Sequence, residues 1–218
     1  MLMKNESVFN ITIDPYSDDD IKLYDNETFS FSPGVDILVG CNGSGKTTLL
    51  NRVEYKINAN TDDSRIAKVF KCCDTLGVVE CVFTWGSSDD VGFGATILSS
   101  SEGERMALAL RQAFDWMWAQ CKKDSIKSVF LLLDSLDSGI DIPTLRMIRR
   151  VLNEVVTVAK QDFNTDLYIL VSANDYALVE GCRCLDVRTG EYIQFESWDD
   201  YADFCEKSDK HKQQAYSK

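Results

Sequence analysis

The residues with the clearest capacity for chemistry lie between positions 40 and 48, where the sequence reads GCNGSGKTT. Glycines allow the backbone to curl so that successive N–H groups point at phosphate oxygens. Lys46 is placed to bind the β- and γ-phosphates, and the hydroxyl of Thr47 is placed to ligate Mg²⁺. The stretch predicts a phosphate-binding loop for a nucleoside triphosphate such as ATP. The alternative is a glycine-rich turn that happens to precede Lys-Thr.

The flanking sequence favours the phosphate-binding loop. The apolar run 35–39 comes before it and predicts a strand, and residues 46–57 predict a helix with Leu49, Leu50 and Val53 on one face. Strand, glycine-rich loop and helix is the order that such a site requires, since the helix N-terminus adds its dipole and unpaired N–H groups. The residues expected to contact the nucleotide are Asn42, Gly43, Ser44, Gly45, Lys46, Thr47 and Thr48.

A second candidate is Asp134, which ends the apolar run 129–133. Uninterrupted apolar runs are typical of parallel strands buried on both faces. Functional groups collect outside the carboxyl ends of such strands. We therefore expect Asp134 to contact the Mg²⁺ held by Thr47, usually through water.

The remaining patterns predict an α/β fold, with a mainly parallel central sheet flanked by helices and an N-terminal antiparallel β section. The predicted strands are 7–13, 21–24, 28–31, 69–73, 77–85 and 167–171; the helices are 105–122, 143–160 and 198–207; a hairpin joins 182–187 to 192–195. We expect one domain over residues 1–210, with a small insertion at about 58–98 and a disordered tail at 211–218.

Composition narrows the classes of function. The formal net charge of −12 disfavours broad binding to nucleic acid, which needs clustered basic residues. Arg146, Arg149 and Arg150 form the nearest basic group, although such residues on a helix are more often a solvated face. No run is long and apolar enough to span a bilayer, and the start lacks a signal-peptide core, so we expect a cytoplasmic protein. The eight cysteines lack the paired spacing of a zinc site.

Four segments, taken in order, resemble the ATP-binding-cassette superfamily, specifically its soluble SMC/RecF-like branch. FSFSPGVDILVGCNGSGKTTLL resembles the opening of that family, and SSSEGERMALALRQAF resembles its signature segment. FLLLDSLDSGID resembles the Walker B strand with the D-loop, and VSAND falls where the switch histidine would lie. The resemblance covers residues 28–187 and implies a P-loop fold of the cassette type.

The resemblance implies that two subunits enclose two ATP molecules between them. Ser101 and Gly103 would then contact the γ-phosphate held by the other subunit, and the helix beginning near Glu104 would direct its dipole at that phosphate. Ser138 and Asp141 would lie at the subunit boundary. Taken alone, Ser101 and Glu104 also fit a helix capping box and nothing more.

The sequence departs from the family pattern at three places. The glutamate expected after Asp134 is Ser135, which cannot serve as a general base at neutral pH. The switch histidine aligns with Asn174, and no glutamine occurs between positions 49 and 111. Asp137 could replace the missing carboxylate, although a structural role in the D-loop is favoured. The candidate catalytic residues are Lys46, Asp134, Ser135, Asp137 and Asn174.

These observations predict a slow or impaired Mg²⁺-dependent ATPase that forms a homodimer on ATP and acts as a nucleotide-gated switch for a separate effector. Family analogy extends this to DNA repair or phage defence, with the effector a nuclease or similar protein. The alternative is the nucleotide-binding subunit of a transporter, which the missing glutamine and short insertion disfavour. Tyr16, Tyr24 and Phe29 could stack on adenine or belong to the core.

Overall fold

A computed structural model describes residues 8–16, 21–60, 62–72 and 101–216, with side chains described throughout these ranges except at 101–105 and 215–216. Its strands form two sheets. The first sheet pairs two antiparallel strands, β1 (Phe9–Thr12) and β2 (Thr28–Phe31). The second has six strands in the order β4-β5-β6-β3-β7-β8. They are β3 (Gly34–Val39), β4 (Arg65–Lys71), β5 (Ser128–Asp134), β6 (Asp166–Ser172), β7 (Cys184–Asp186) and β8 (Tyr192–Ile193).

All neighbouring pairs from β4 to β7 are parallel, and only β7 and β8 run antiparallel. The strand β6 lies between β3, which leads into the glycine-rich loop, and β5, which ends in Asp134. The carboxyl ends of these three parallel strands therefore meet at one edge of the sheet, where functional groups of α/β folds gather.

Five helices complete the described part of the chain. They are α1 (Lys46–Asn58), α2 (Ser101–Cys121), α3 (Ile142–Phe163), α4 (Tyr176–Val179) and α5 (Trp198–Tyr216). Asp141 caps α3 by accepting a hydrogen bond from the Thr144 N–H, with Pro143 in the first turn, and Asn164 ends the helix in a left-handed conformation. Both ends follow the usual rules for starting and stopping a helix.

The central sheet has an apolar core on each face. Along β5, Val129, Leu131 and Leu133 face a core shared with α2, α3 and part of α5. Phe130 and Leu132 face the opposite core, shared with α1 and the β1–β2 pair. The alternation follows from the two-residue period of a strand and explains why the whole run is apolar.

The predicted α/β fold, with its mainly parallel sheet and N-terminal antiparallel section, is confirmed. The loop-flanking strand and helix and the C-terminal hairpin also lie where the sequence placed them. The predicted strand at 77–85 lies outside the described residues. None of the helices in the described ranges is long and apolar enough to cross a membrane.

Four predictions differ from the structure. The helix predicted to begin at residue 105 begins at Ser101, so Ser101 lies in the helix and not at its cap. Residues 21–24 do not form a strand; a single bridge joins Tyr16 to Lys22 there. Part of the predicted insertion at 58–98 forms β4, the outermost of the described strands on its side of the central sheet. The tail predicted to be disordered from residue 211 instead continues α5 as far as Tyr216. The pairing of β4 with β5 and the packing of α5 against the glycine-rich loop are long-range interactions. Local composition does not predict them.

Candidate functional site

The glycine-rich loop joins β3 to α1 and turns at three glycines. Gly40, Gly43 and Gly45 all have positive φ angles, of 151°, 78° and 97°. Left-handed conformations of this kind favour glycine, which has no Cβ. Gly45 is the N-cap of α1, and no side chain caps this helix end. The first N–H groups of α1 are therefore left for a ligand, as an anion site at a helix N-terminus requires.

Two of these glycines are also required by their surroundings. A Cβ on Gly40 would stand 2.4 Å from Ser44 Oγ, and one on Gly45 would stand 3.0 Å from the Tyr24 ring. The Tyr24 hydroxyl donates a 2.8 Å hydrogen bond to the Gly45 carbonyl oxygen. Because Tyr24 is fully buried, its burial raises the pKa of its hydroxyl well above the ordinary value. Tyr24 therefore remains a neutral donor that fixes the end of the loop.

Lys46 folds back over the loop. Its ammonium nitrogen donates to the carbonyl oxygens of Gly40, at 2.7 Å, and Cys41, at 3.2 Å. The residue is only 8% exposed. Burial lowers the pKa of Lys46, and the nearby acidic groups, among them Asp137 and Asp134, act in the opposite direction. The ammonium is held by neutral carbonyls, which are weaker partners than phosphate oxygens.

Asp134 lies at the centre of a hydrogen-bond network at the carboxyl edge of the sheet. Its carboxylate accepts from Thr47 Oγ1, at 3.1 and 3.0 Å to its two oxygens, and from Ser172 Oγ at 2.7 Å. Ser172 Oγ in turn accepts from the Ser135 N–H at 2.7 Å. The predicted metal ligands, Thr47 and Asp134, are therefore brought together. Ser172, which links β6 to both, was not identified from the sequence as part of the site.

The residues present fit a triphosphate with Mg²⁺. Ser44 Oγ is buried and has no hydrogen-bond partner within the described residues, so a buried hydroxyl in the loop lacks a partner that a phosphate oxygen would supply. The hydroxyl of Thr47 and the carboxylate of Asp134 are oxygen donors of the kind that Mg²⁺ prefers. Thr47 is exposed whereas Asp134 is 5% exposed, so a cation would approach from the Thr47 side.

Asp137 is not a spare carboxylate. Its Oδ2 accepts hydrogen bonds from the backbone N–H groups of Asn174 and Asp175, the latter at 2.6 Å. It thereby fastens the segment after β5 to the segment after β6, which is the structural role that the sequence favoured for it. The Asn174 side chain is exposed at the same edge.

The residues of the predicted signature segment lie at the start of α2. The helix includes Ser101, Gly103 and Glu104, but their side chains lie outside the part of the chain that the structure describes. Ser138 is exposed in the segment between Asp134 and α3. The composite arrangement implied by the resemblance stays a prediction.

Two of the three candidates for adenine stacking belong to the core. Tyr24 and Phe29 are fully buried and pack edge to face, with ring centroids 5.6 Å apart. Neither ring has a free face for a base. Tyr16 is 45% exposed and stays a candidate for stacking on adenine.

The predicted basic group is partly neutralised within the chain. Arg146 forms an ion pair with Glu180 at 2.9 Å, and Arg149 donates to the carbonyl oxygen of the same residue. These contacts join α3 to α4, so two of the three arginines act in packing.

The C-terminal helix adds contacts to the loop that the sequence did not predict. The Cys41 N–H donates to Ser208 Oγ at 3.0 Å, and Lys212 Nζ donates to the Asn42 carbonyl oxygen at 2.9 Å. Both partners lie on α5. The sequence predicts a helix only as far as residue 207 and a disordered tail from residue 211, so no motif points to these contacts.

No protein-family model and no curated protein matches the sequence. Among solved structures, the ADP conformation of MJ1267, an ATP-binding cassette of an ABC transporter, aligns with 95% of this chain and 98% of its own. The two share 12% sequence identity, with a TM-score of 0.46. The function of the chain has to be inferred from the geometry of its own residues.

The hydrogen bond from Tyr24 to the loop generates a test of this geometry. Tyr24→Phe removes one buried donor and leaves the Gly45 carbonyl without it, so we expect the free energy of unfolding to fall by about 1 kcal/mol. Urea unfolding measures the change. Tyr16→Phe, at an exposed tyrosine, is the matched control and should be neutral; equal effects of the two variants would contradict the assignment.

Proposed function

We propose that this chain binds ATP with Mg²⁺ in the glycine-rich loop and hydrolyses it slowly. One observation carries the proposal: the uncapped N-terminus of α1 and the buried Lys46 ammonium converge on the same loop that places Thr47 against Asp134. Backbone N–H groups, an ammonium and two oxygen ligands for a hard cation are the components that a triphosphate needs. The sequence resemblance to ATP-binding cassettes supports adenine as the base.

Lys46→Ala tests nucleotide binding. The ammonium makes charge-assisted hydrogen bonds to phosphate, so its loss should weaken Mg-ATP binding by about 100-fold in calorimetric titration. Lys56→Ala on the same helix is the control, because Lys56 is exposed and its substitution removes the same charge. Absence of ATP binding by the unaltered chain, or equal loss in both variants, would overturn the proposal.

Slow turnover is inferred from the groups that surround the expected γ-phosphate. Ser135 stands where a carboxylate base would be expected, and its N–H is bound to Ser172. Asp137 accepts two backbone hydrogen bonds, which leaves its carboxylate poorly placed to activate water. Asn174 offers an amide, which cannot take a proton at neutral pH. The site has groups that bind phosphate but lacks an evident general base among these residues.

Introducing a base at this position tests the inference. We expect Ser135→Glu to raise the rate of phosphate release from Mg-ATP, by on the order of 10²-fold if the carboxylate reaches the attacking water. Thr157→Glu adds the same charge at an exposed site of α3 to which no role is assigned and should leave the rate unchanged. Brisk hydrolysis by the unaltered chain, abolished by Lys46→Ala, would exclude the impaired-turnover part of the proposal.

Dimerisation on ATP is the second part of the proposal, and it is supported by the sequence of the segment that opens α2. In the arrangement implied by the resemblance, Ser101 and Gly103 of one subunit complete the γ-phosphate site of the other, with Glu104 beside them. ATP would then link two subunits, and its hydrolysis would release them.

The mass of the protein in solution with and without ATP tests this arrangement. We expect light scattering to report a doubled mass with Mg-ATP and a monomer with Mg-ADP. Ser101→Arg, which places a bulky cation at the proposed contact, should keep ATP binding but abolish the dimer. A monomeric mass at saturating ATP would contradict the arrangement.

A nucleotide-gated switch needs an effector, which we propose is a separate protein such as a nuclease in DNA repair or phage defence. The support is family analogy together with the short interval between the loop and α2. Recovery of a tagged chain from its native host with a soluble nuclease would favour this role, whereas recovery in a membrane complex would favour the transporter alternative.

A further inference from the structure

The C-terminal helix α5 packs across the first half of the phosphate loop. Ser208 accepts from the Cys41 N–H at 3.0 Å, and Lys212 donates to the Asn42 carbonyl at 2.9 Å. The two residues are about one helical turn apart and therefore share a face of α5. Tyr201, which is buried, and Cys205, which packs against the same core, extend this face toward the helix start. The contact is thus anchored in the core.

Lys212 and Lys46 bind one continuous row of carbonyl groups. Lys46 donates to the carbonyl oxygens of Gly40 and Cys41, and Lys212 donates to the carbonyl oxygen of Asn42. Lys212 also lies beside the next residue, Gly43, where a Cβ would stand at ordinary contact distance, 3.5 Å from Lys212 Cδ and 3.9 Å from its Nζ. The structure therefore places two ammonium groups on adjacent positions of the same loop.

Neutral carbonyls are modest partners for an ammonium group, whereas phosphate oxygens form shorter and stronger charge-assisted hydrogen bonds. Lys212 also pairs with Asp209 at 3.0 Å, but both side chains are partly exposed, at 31% and 43%. Ion pairs of this exposure contribute little. A triphosphate entering the loop would offer the Lys212 ammonium stronger partners than the Asn42 carbonyl.

We infer that Lys212 is a second phosphate-binding lysine of this site, contributed by the C-terminal helix and directed at the same end of the triphosphate as Lys46. The inference rests on the proposed binding of ATP. It makes Lys212 a determinant of selectivity for ATP over ADP, because the γ-phosphate adds negative charge at that end. It also gives α5 a role in binding, since Ser208 and the buried face of the helix fix where the lysine stands.

Calorimetric titration of the full chain with Mg-ATP and Mg-ADP tests the inference. Lys212→Gln should weaken ATP binding on the order of 10-fold, with a smaller loss for ADP. Lys212→Arg should restore most of the ATP affinity, since a guanidinium group also binds phosphate. Lys210→Gln on the same helix is the matched control, because Lys210 is exposed and its substitution removes the same charge. This variant should bind both nucleotides as the unaltered chain does.

The outcomes separate this inference from the proposed function. If the unaltered chain does not bind ATP, or if Lys46→Ala has no effect, the proposed function fails. If binding depends on Lys46 but Lys212→Gln behaves as Lys210→Gln does, only the role of Lys212 fails. Tighter ATP binding by Lys212→Gln would also overturn it, because α5 would then be a strap that closes the loop. Urea unfolding of each variant verifies that the comparison is made between folded proteins.

Discussion

The carboxylate of Asp134 is the interaction on which the site depends. It lies at the end of a strand buried on both faces, and it is itself 5% exposed. A buried charge is stable only when it is hydrogen-bonded or coordinates a metal. Thr47 from α1 and Ser172 from β6 supply these hydrogen bonds, and Ser172 also receives the Ser135 N–H. One carboxylate thus joins α1, the end of β5 and the end of β6.

The strength of the sequence signal explains which parts of this arrangement could be predicted. The run ending in Asp134 is uniformly apolar because both faces of β5 are covered, and such runs identify a buried strand locally. The glycine-rich loop is equally local, since positive φ angles at Gly43 and Gly45 select glycine whatever lies elsewhere in the fold. The conformation of the glycine-rich loop and the meeting of Thr47 with Asp134 could therefore be predicted without the structure.

The contacts that were not predicted connect residues far apart in the chain. Ser172 donates its hydrogen bond to Asp134 because β6 lies beside β5 in the sheet. The order of strands in a sheet cannot be predicted from local composition. The C-terminal helix is polar on most of its surface, so residues from 211 onward resemble a disordered tail. Its contacts with Cys41 and Asn42 depend on the position of the β7–β8 hairpin, which precedes the helix in the chain.

Under the proposed function, the geometry of the site suits binding a triphosphate better than cleaving it. Ser135 has a φ angle of 57°, a left-handed conformation that most side chains adopt at a cost. That conformation and the hydrogen bond to Ser172 belong to the backbone of residue 135 and do not depend on its side chain. The serine side chain itself offers no carboxylate. Asp137, the nearest alternative, holds two backbone N–H groups that fasten the Asn174 segment; releasing it for catalysis would loosen the edge of the site. In the proposed site, therefore, Asp137 serves to hold two segments together and Ser135 supplies no base, which leaves phosphate binding as the chemistry that these residues support.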